Sequence, residues 1–154
     1  MADGDTDLAF EGAYLAEIVT TIARRSLRGA RGSSGVILSQ LLRGLAEVLA
    51  AQSGPLDGRV LAAALERAGI LAYAAVAQPV EGTMLTVARE AAEAARAAAS
   101  DSLVVVVQAA AQGARDALAR TPSQLDVLSR AGVVDAGGRG LVVLLDVLDA
   151  VVAE

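Results

Sequence analysis

The sequence predicts an all-α protein, an antiparallel bundle or barrel of about seven helices in a single domain. Three observations lead there. Apolar residues recur at three- and four-residue spacing through several long segments. Those segments are separated by short breaks rich in Gly, Pro and Ser, with no convincing strand alternation. Hydrophobic residues make up 55% of the chain but aromatics only 2%. The core must then be built from Ala, Val and Leu, whose small side chains suit close helix packing. A length of 154 residues is enough for one sizeable core.

Leu8, Leu15, Ile18, Val19 and Ile22 set out a first amphipathic helix from Leu8 to about Arg28. Gly29 to Ser34 read as a loop. A second helix, Gly35 to Ala51, carries Val36, Ile37, Leu41, Leu42, Leu45, Val48 and Leu49. The turn "QSGPLDG" follows, and Asp57 can cap a third helix to about Val76. "QPVEGT" breaks the chain before an Ala-rich helix from Thr83 to Ala99. "SDS" opens the next, Ser102 to Arg120. Its Val104 to Val107 run has β propensity, but the length and the Ala-rich continuation favour helix. "TPSQLDVLSRAG" reads as a short helix opened by Thr121 as cap, with Pro122 at its first position, and stopped by Gly132. "VVDAGGRG" is then a loop, and Leu141 to Val152 the last helix. No internal repeat is evident.

Composition removes whole classes of chemistry. There is no Cys, so there is no disulfide framework, thiolate zinc site or Cys nucleophile. There is no His, the usual general base near neutral pH. All 13 basic residues are Arg, which excludes a Schiff-base lysine and the Lys of a Walker A loop. Carboxylates, hydroxyls, guanidinium groups and backbone N–H groups remain, an inventory suited to magnesium and phosphate. A net charge of −5, no basic stripe and few stacking aromatics argue against nucleic acid. Apolar runs such as "SLVVVVQAAA" fall short of a membrane span. The acidic start "MADGDTD" is unlike a signal peptide, so the expected location is the cytoplasm.

Four stretches stand out. "GARGSSG" offers backbone N–H groups and the hydroxyls of Ser33 and Ser34 at a helix start, where anions are attracted. A plain turn with Ser as N-cap accounts for it equally well. In "DGDT", Asp3 and Asp5 flank a Gly and could hold a hard cation, although an acidic chain end is the commoner meaning. "PVEGTMLTVARE" puts Glu81 and Thr83 at a helix start, where capping is the ordinary role of Thr. "GVVDAGGRG" holds Asp135 among glycines, or is simply a connector. Alternate loops of an antiparallel array share one end. Counting the long helices only, loop parity groups the breaks at 29–34, 78–83 and 133–140, but sets "DGDT" at the opposite end.

In this order, "GARGSSGVILSQLLRG", "PVEGTMLTVARE" and "AGVVDAGGRGL" resemble the nucleotide-binding domain of bacterial fatty acid kinase A subunits. That domain is similar to the L domain of dihydroxyacetone kinases. The resemblance covers about residues 26 to 154, and "ADGDT" resembles the family's acidic metal motif. It implies an antiparallel α-helical barrel with Mg-ATP at one end. Asp3 and Asp5 would hold Mg²⁺, with Thr6 in the same loop. Gly32, Ser33, Ser34 and Gly35 would touch phosphate; Ser33 stands where the kinase subunits usually carry Asn. Thr83 and Met84 would line the base pocket, and Asp135, Ala136 and Gly137 would close over the nucleotide. No general base is assigned. The implied reaction passes the γ-phosphate of ATP to a fatty acid carboxylate presented by a lipid-binding, DegV-like partner protein.

Departures from the family lie at the start. Thr6 is followed by "DLAF" in place of Gly-Thr-Asn-Met, and one or two N-terminal helices of the family fold are expected to be missing. Residues 1–28 thus read as truncated or rearranged within the single domain 1–154. Two other readings stand beside the first: a dihydroxyacetone-kinase-like subunit, and a non-catalytic truncated or engineered helical core. A homo-oligomer is compatible with the sequence.

Overall fold

The computed structural model describes residues 3–154, with side chains from residue 14 onward. Seven helices follow one another: α1 (Asp3–Gly29), α2 (Gly32–Ala51), α3 (Gly58–Ala74), α4 (Met84–Ala97), α5 (Leu103–Gln124), α6 (Asp126–Ala131) and α7 (Ala136–Val152). No strand occurs among the described residues. The all-α expectation stands, and Val104 to Val107 are helical, as expected.

α1 packs on α2, α2 on α3, and α3 on α4, while α5 and α7 complete the core around α4. The core is mostly alanine. Ala64, Ala72, Ala110, Ala111, Ala114 and Ala117 are fully buried. Small side chains let backbones touch. A Cβ on Gly44 of α2 would lie 2.4 Å from the Ala68 Cα of α3, so only Gly fits that crossing. Between α2 and α7 an apolar groove of about 270 Å³ stays open, lined by Leu38, Leu42, Leu45, Leu65, Leu141 and Leu148 among others. By length and composition α2 could cross a membrane. Here it packs between α1 and α3 and carries Glu47, which bonds Arg43 of its own helix and Arg67 of α3.

Five boundaries differ from the sequence expectation, among them the start of α6, which opens at Asp126 after Leu125 rather than at Pro122 after Thr121. α1 begins at Asp3 rather than Leu8, and α2 at Gly32 rather than Gly35. α5 does not stop near Arg120 but runs through Pro122 to Gln124. Proline removes the N–H that would bond the Leu118 carbonyl. The Thr121 hydroxyl donates to that carbonyl instead, at 2.8 Å, and the helix continues. α7 begins at Ala136 rather than Leu141, so the "AGGRG" of "VVDAGGRG" is helix. Gly137 and Gly138 serve close packing: a Cβ on Gly138 would meet Val87 Cγ2 at 2.9 Å and Leu118 Cδ1 at 3.2 Å. Other expectations hold. Asp57 caps α3 by accepting the Val60 N–H, and Gly132 ends α6 in the left-handed conformation at φ 66°.

Candidate functional site

One end of the bundle gathers the N-termini of α2, α4 and α7 and the C-terminus of α5. Ile37, in the second turn of α2, shares a core cluster with Met84 and Leu85 of α4, and Leu141 of α7 packs against it. Gly137 approaches Met84 so closely that an added Cβ would lie 3.3 Å from the Met84 Cβ. Residues expected together from loop parity, those around Ser34, Thr83 and Asp135, thus share this end.

The loop expected at 29–34 reduces to Ala30 and Arg31. Gly32 has φ +68°, which turns the chain from α1 into α2. Ser33 and Ser34 are exposed in the first turn of α2, and neither hydroxyl makes a hydrogen bond among the described residues. Arg31 stands at the N-cap and provides no side-chain cap.

The second segment is held by a polar network. Gly82 is buried with φ +79°, and a Cβ there would come within 3.0 Å of Gln124 and Leu125. Its N–H donates to the Thr86 hydroxyl at 2.9 Å, which in turn donates to Glu81 Oε2 at 2.7 Å. Arg89 grips both Glu81 oxygens, at 2.9 and 3.1 Å, and Tyr73 OH donates to Oε1 at 3.1 Å. Burial alone would raise the Glu81 carboxyl, but bonds from Thr86 and Arg89 outweigh it and hold it below its ordinary value. Thr83 occupies the N-cap of α4, yet its hydroxyl turns back to donate to the Val80 carbonyl at 2.7 Å. Met84 is buried in the core rather than lining an open surface.

The third segment is capped. Asp135 Oδ2 accepts the Gly138 N–H at 2.7 Å, and the Asp135 N–H donates to the Thr121 hydroxyl at 3.1 Å. Asp135, expected in a loop with Ala136 and Gly137, is therefore the N-cap of α7, and those two residues form its first turn. Thr86, not singled out in the sequence, and Thr121, read there as the cap of a short helix, lock this end in place. Both are fully buried.

Capping differs between the two ends of the bundle. At the far end, α3 and α5 are capped by the side chains of Asp57 and Ser102. At the near end, α7 is capped, while α2 and α4 have no side-chain cap. The first turn of α2 is exposed with the Ser33 and Ser34 hydroxyls, while Met84, Leu85 and Thr86 at the start of α4 are buried beside it.

The side chains of Asp3, Asp5 and Thr6 lie outside the described residues. The backbone locates these positions: α1 runs 27 residues, about 40 Å by helical rise, and its C-terminal end leads through Ala30 and Arg31 into α2. Asp3 and Asp5 begin that helix at the far end from Ser33. Among the described residues no three acidic side chains gather in a way that could hold a metal ion.

Residues 3–150 match the family model described as the DAK2 domain. An uncharacterized protein of Staphylococcus haemolyticus (strain JCSC1435) is 43% identical over 129 residues, which is 82% of this chain and 23% of the relative. An uncharacterized protein of Staphylococcus aureus (strain USA300) is 41% identical over the same length and shares. The chain thus spans less than a quarter of the length of these curated relatives.

Proposed function

The chain belongs to the DAK2 domain family, and from that premise we propose that it is a nucleotide-binding phosphotransferase domain that holds ATP phosphates at the uncapped end of the bundle. The observation that carries this reading is the contrast in capping. Two long helices, α2 and α4, start at one end without a side-chain cap, and the exposed first turn of α2 carries two serine hydroxyls that are unengaged among the described residues. Phosphate oxygens complete such donors.

The acceptor in this reading is a fatty acid carboxylate, presented by a lipid-binding partner protein. A carboxylate oxygen attacks the γ-phosphorus, the bond to the bridging oxygen breaks, and acyl phosphate and ADP result. A carboxylate carries no proton to remove, which matches a site without an evident base. The chain's own part is to position the triphosphate and to neutralise charge as it shifts toward the leaving oxygen. Mg²⁺ bound with the nucleotide would supply further neutralisation. The carboxylates expected to hold it, Asp3 and Asp5, do not lie beside Ser33 within one copy, and no step is assigned to them.

Titration calorimetry with ATP, with and without Mg²⁺, tests the site. Ser34→Ala should weaken binding roughly threefold to tenfold, the effect of losing one neutral hydrogen bond of about 0.5–1.5 kcal/mol. Absence of nucleotide binding under both conditions would reject the reading. The acceptor is tested by adding ATP, a fatty acid and a fatty-acid-binding partner, with hydroxylamine to trap acyl phosphate. Phosphorylation of dihydroxyacetone in place of the fatty acid would select the dihydroxyacetone-kinase-like alternative.

A further inference from the structure

α1 is an edge helix. It packs on α2, where Ala23 is buried, and turns another face to solvent. That face is apolar at its centre: Tyr14 is 63% exposed, Leu15 36%, Ile18 38% and Ile22 46%. Leu15, Ile18 and Ile22 follow the alternating three- and four-residue spacing of a helix-pairing seam. Charge along the same helix is segregated. Its acidic residues are Asp3, Asp5, Asp7, Glu11 and Glu17; its basic residues are Arg24, Arg25 and Arg28, with Arg31 just beyond. Arg24, Arg25, Arg28 and Arg31 are exposed and form no salt bridge among the described residues.

We propose that α1 pairs with α1 of a second copy of the chain, antiparallel and centred on Ile18. In that register Ile18 meets its own counterpart and Tyr14 lies opposite Ile22. Position 11 falls opposite position 25, and position 7 close to position 28. Each acidic half then lies along a basic half. Parallel pairing would set like charges side by side, which is destabilising. Among the described residues α1 packs on α2, and the seam's apolar centre with charged flanks is self-complementary under a two-fold axis. A single helix pair buries less than the roughly 1,200 Å² of a standard interface, so association should be weak and concentration-dependent.

The pairing has a consequence for the phosphate end, and this part rests on the nucleotide reading. Antiparallel α1 helices bring the start of one copy, with Asp3 and Asp5, toward Arg31 and Ser33 of the other. The acidic motif and the phosphate loop, far apart along one α1, would meet across the two-fold axis.

The chain has no cysteine, which gives a clean background for cross-linking. Sedimentation equilibrium should show a monomer–dimer equilibrium that Ile18→Glu weakens by about tenfold or more, since it would bury a charge at the seam. Circular dichroism checks that the variant keeps its helix content. Under mild oxidation Ile18→Cys should form a covalent dimer, and so should the double variant Tyr14→Cys/Ile22→Cys. Tyr14→Cys alone should cross-link poorly. Arg25→Glu should weaken the dimer, and adding Glu11→Arg on the same chain should restore it. A chain that stays monomeric at its highest soluble concentration would overturn the proposal. So would efficient cross-linking of Tyr14→Cys by itself, or a monomer that binds anionic lipid vesicles through the same face. Dimer formation without ATP binding would leave the pairing standing and remove only the nucleotide reading.

Discussion

Gly44→Ala should destabilise the protein although alanine is the better helix former. Gly44 lies inside α2, where replacing Gly by Ala in isolation is worth about 1 kcal/mol. The new Cβ, however, would sit 2.4 Å from Ala68 Cα, 2.5 Å from Ala68 N and 2.8 Å from the Arg67 carbonyl carbon. Carbon atoms pack at about 3.5–4.0 Å, so the overlap exceeds about 1 Å. All three neighbours are backbone, and no side chain can rotate away. Relief requires α2 and α3 to separate along their whole contact. Overpacking of this kind costs typically 1–3 kcal/mol, and a clash with backbone belongs at about 3. Subtracting the gain in propensity leaves a net loss of about 2 kcal/mol, a fall in Tm of roughly 4–8 °C for a domain of this size. Gly69→Ala is the matched control. It is interior to α3, no atom lies within 4 Å of its added Cβ, and it should gain about 0.5–1 kcal/mol. Urea denaturation of both variants, followed by circular dichroism, gives the comparison. If Gly44→Ala proves as stable as wild type, the backbone contact between α2 and α3 is not as close as described.

Other substitutions probe the site end. Thr121→Val should cost about 1–3 kcal/mol in urea denaturation, because it strands the Leu118 carbonyl and the Asp135 N–H; Thr121→Ser, which keeps the hydroxyl, should cost clearly less. Asp135→Ala should cost about 1 kcal/mol by removing the cap of α7, again read from the urea midpoint. Glu81 is held below its ordinary 4.5, so it contributes stability above the unfolded value that is lost as pH falls through the lower folded value. The stability difference between wild type and Glu81→Gln should therefore shrink progressively as the solution is acidified below about 4.5, and a difference independent of pH there would contradict the assignment.

What the sequence revealed was local, and what it concealed was tertiary. Asp57 as a cap and Gly132 as a stop depend on partners within a few residues, and both were legible. Pro122 looked like a helix opener because its missing N–H is harmless there. It is tolerated late in α5 because Thr121 satisfies the orphaned carbonyl and is itself engaged by Asp135, fourteen positions on. "DAGGRG" looked like a loop because glycine disfavours helix. Its Gly138 is needed where α7 meets Val87 and Leu118, contacts that no local pattern announces. At the site, Glu81 was visible as a polar group at a helix start. Thr86 and Arg89 share one turn of α4 and could have been suspected as its partners, but Tyr73 comes from another helix. Thr83 had the sequence of a cap yet bonds backward to Val80, which leaves the α4 terminus without a side-chain cap.

The alanine core carries a thermal signature. Alanine has no side-chain rotamers to lose on burial, so ordering Ala64, Ala72, Ala110, Ala111, Ala114 and Ala117 costs backbone freedom alone. Each also exposes little apolar surface when the chain unfolds. The heat-capacity increment of unfolding, commonly about 12–15 cal/mol/K per residue, should fall below that range here. A smaller increment flattens the dependence of stability on temperature. The bundle should then change its stability slowly on cooling and on warming, holding its helices over a broad span rather than peaking sharply near one temperature.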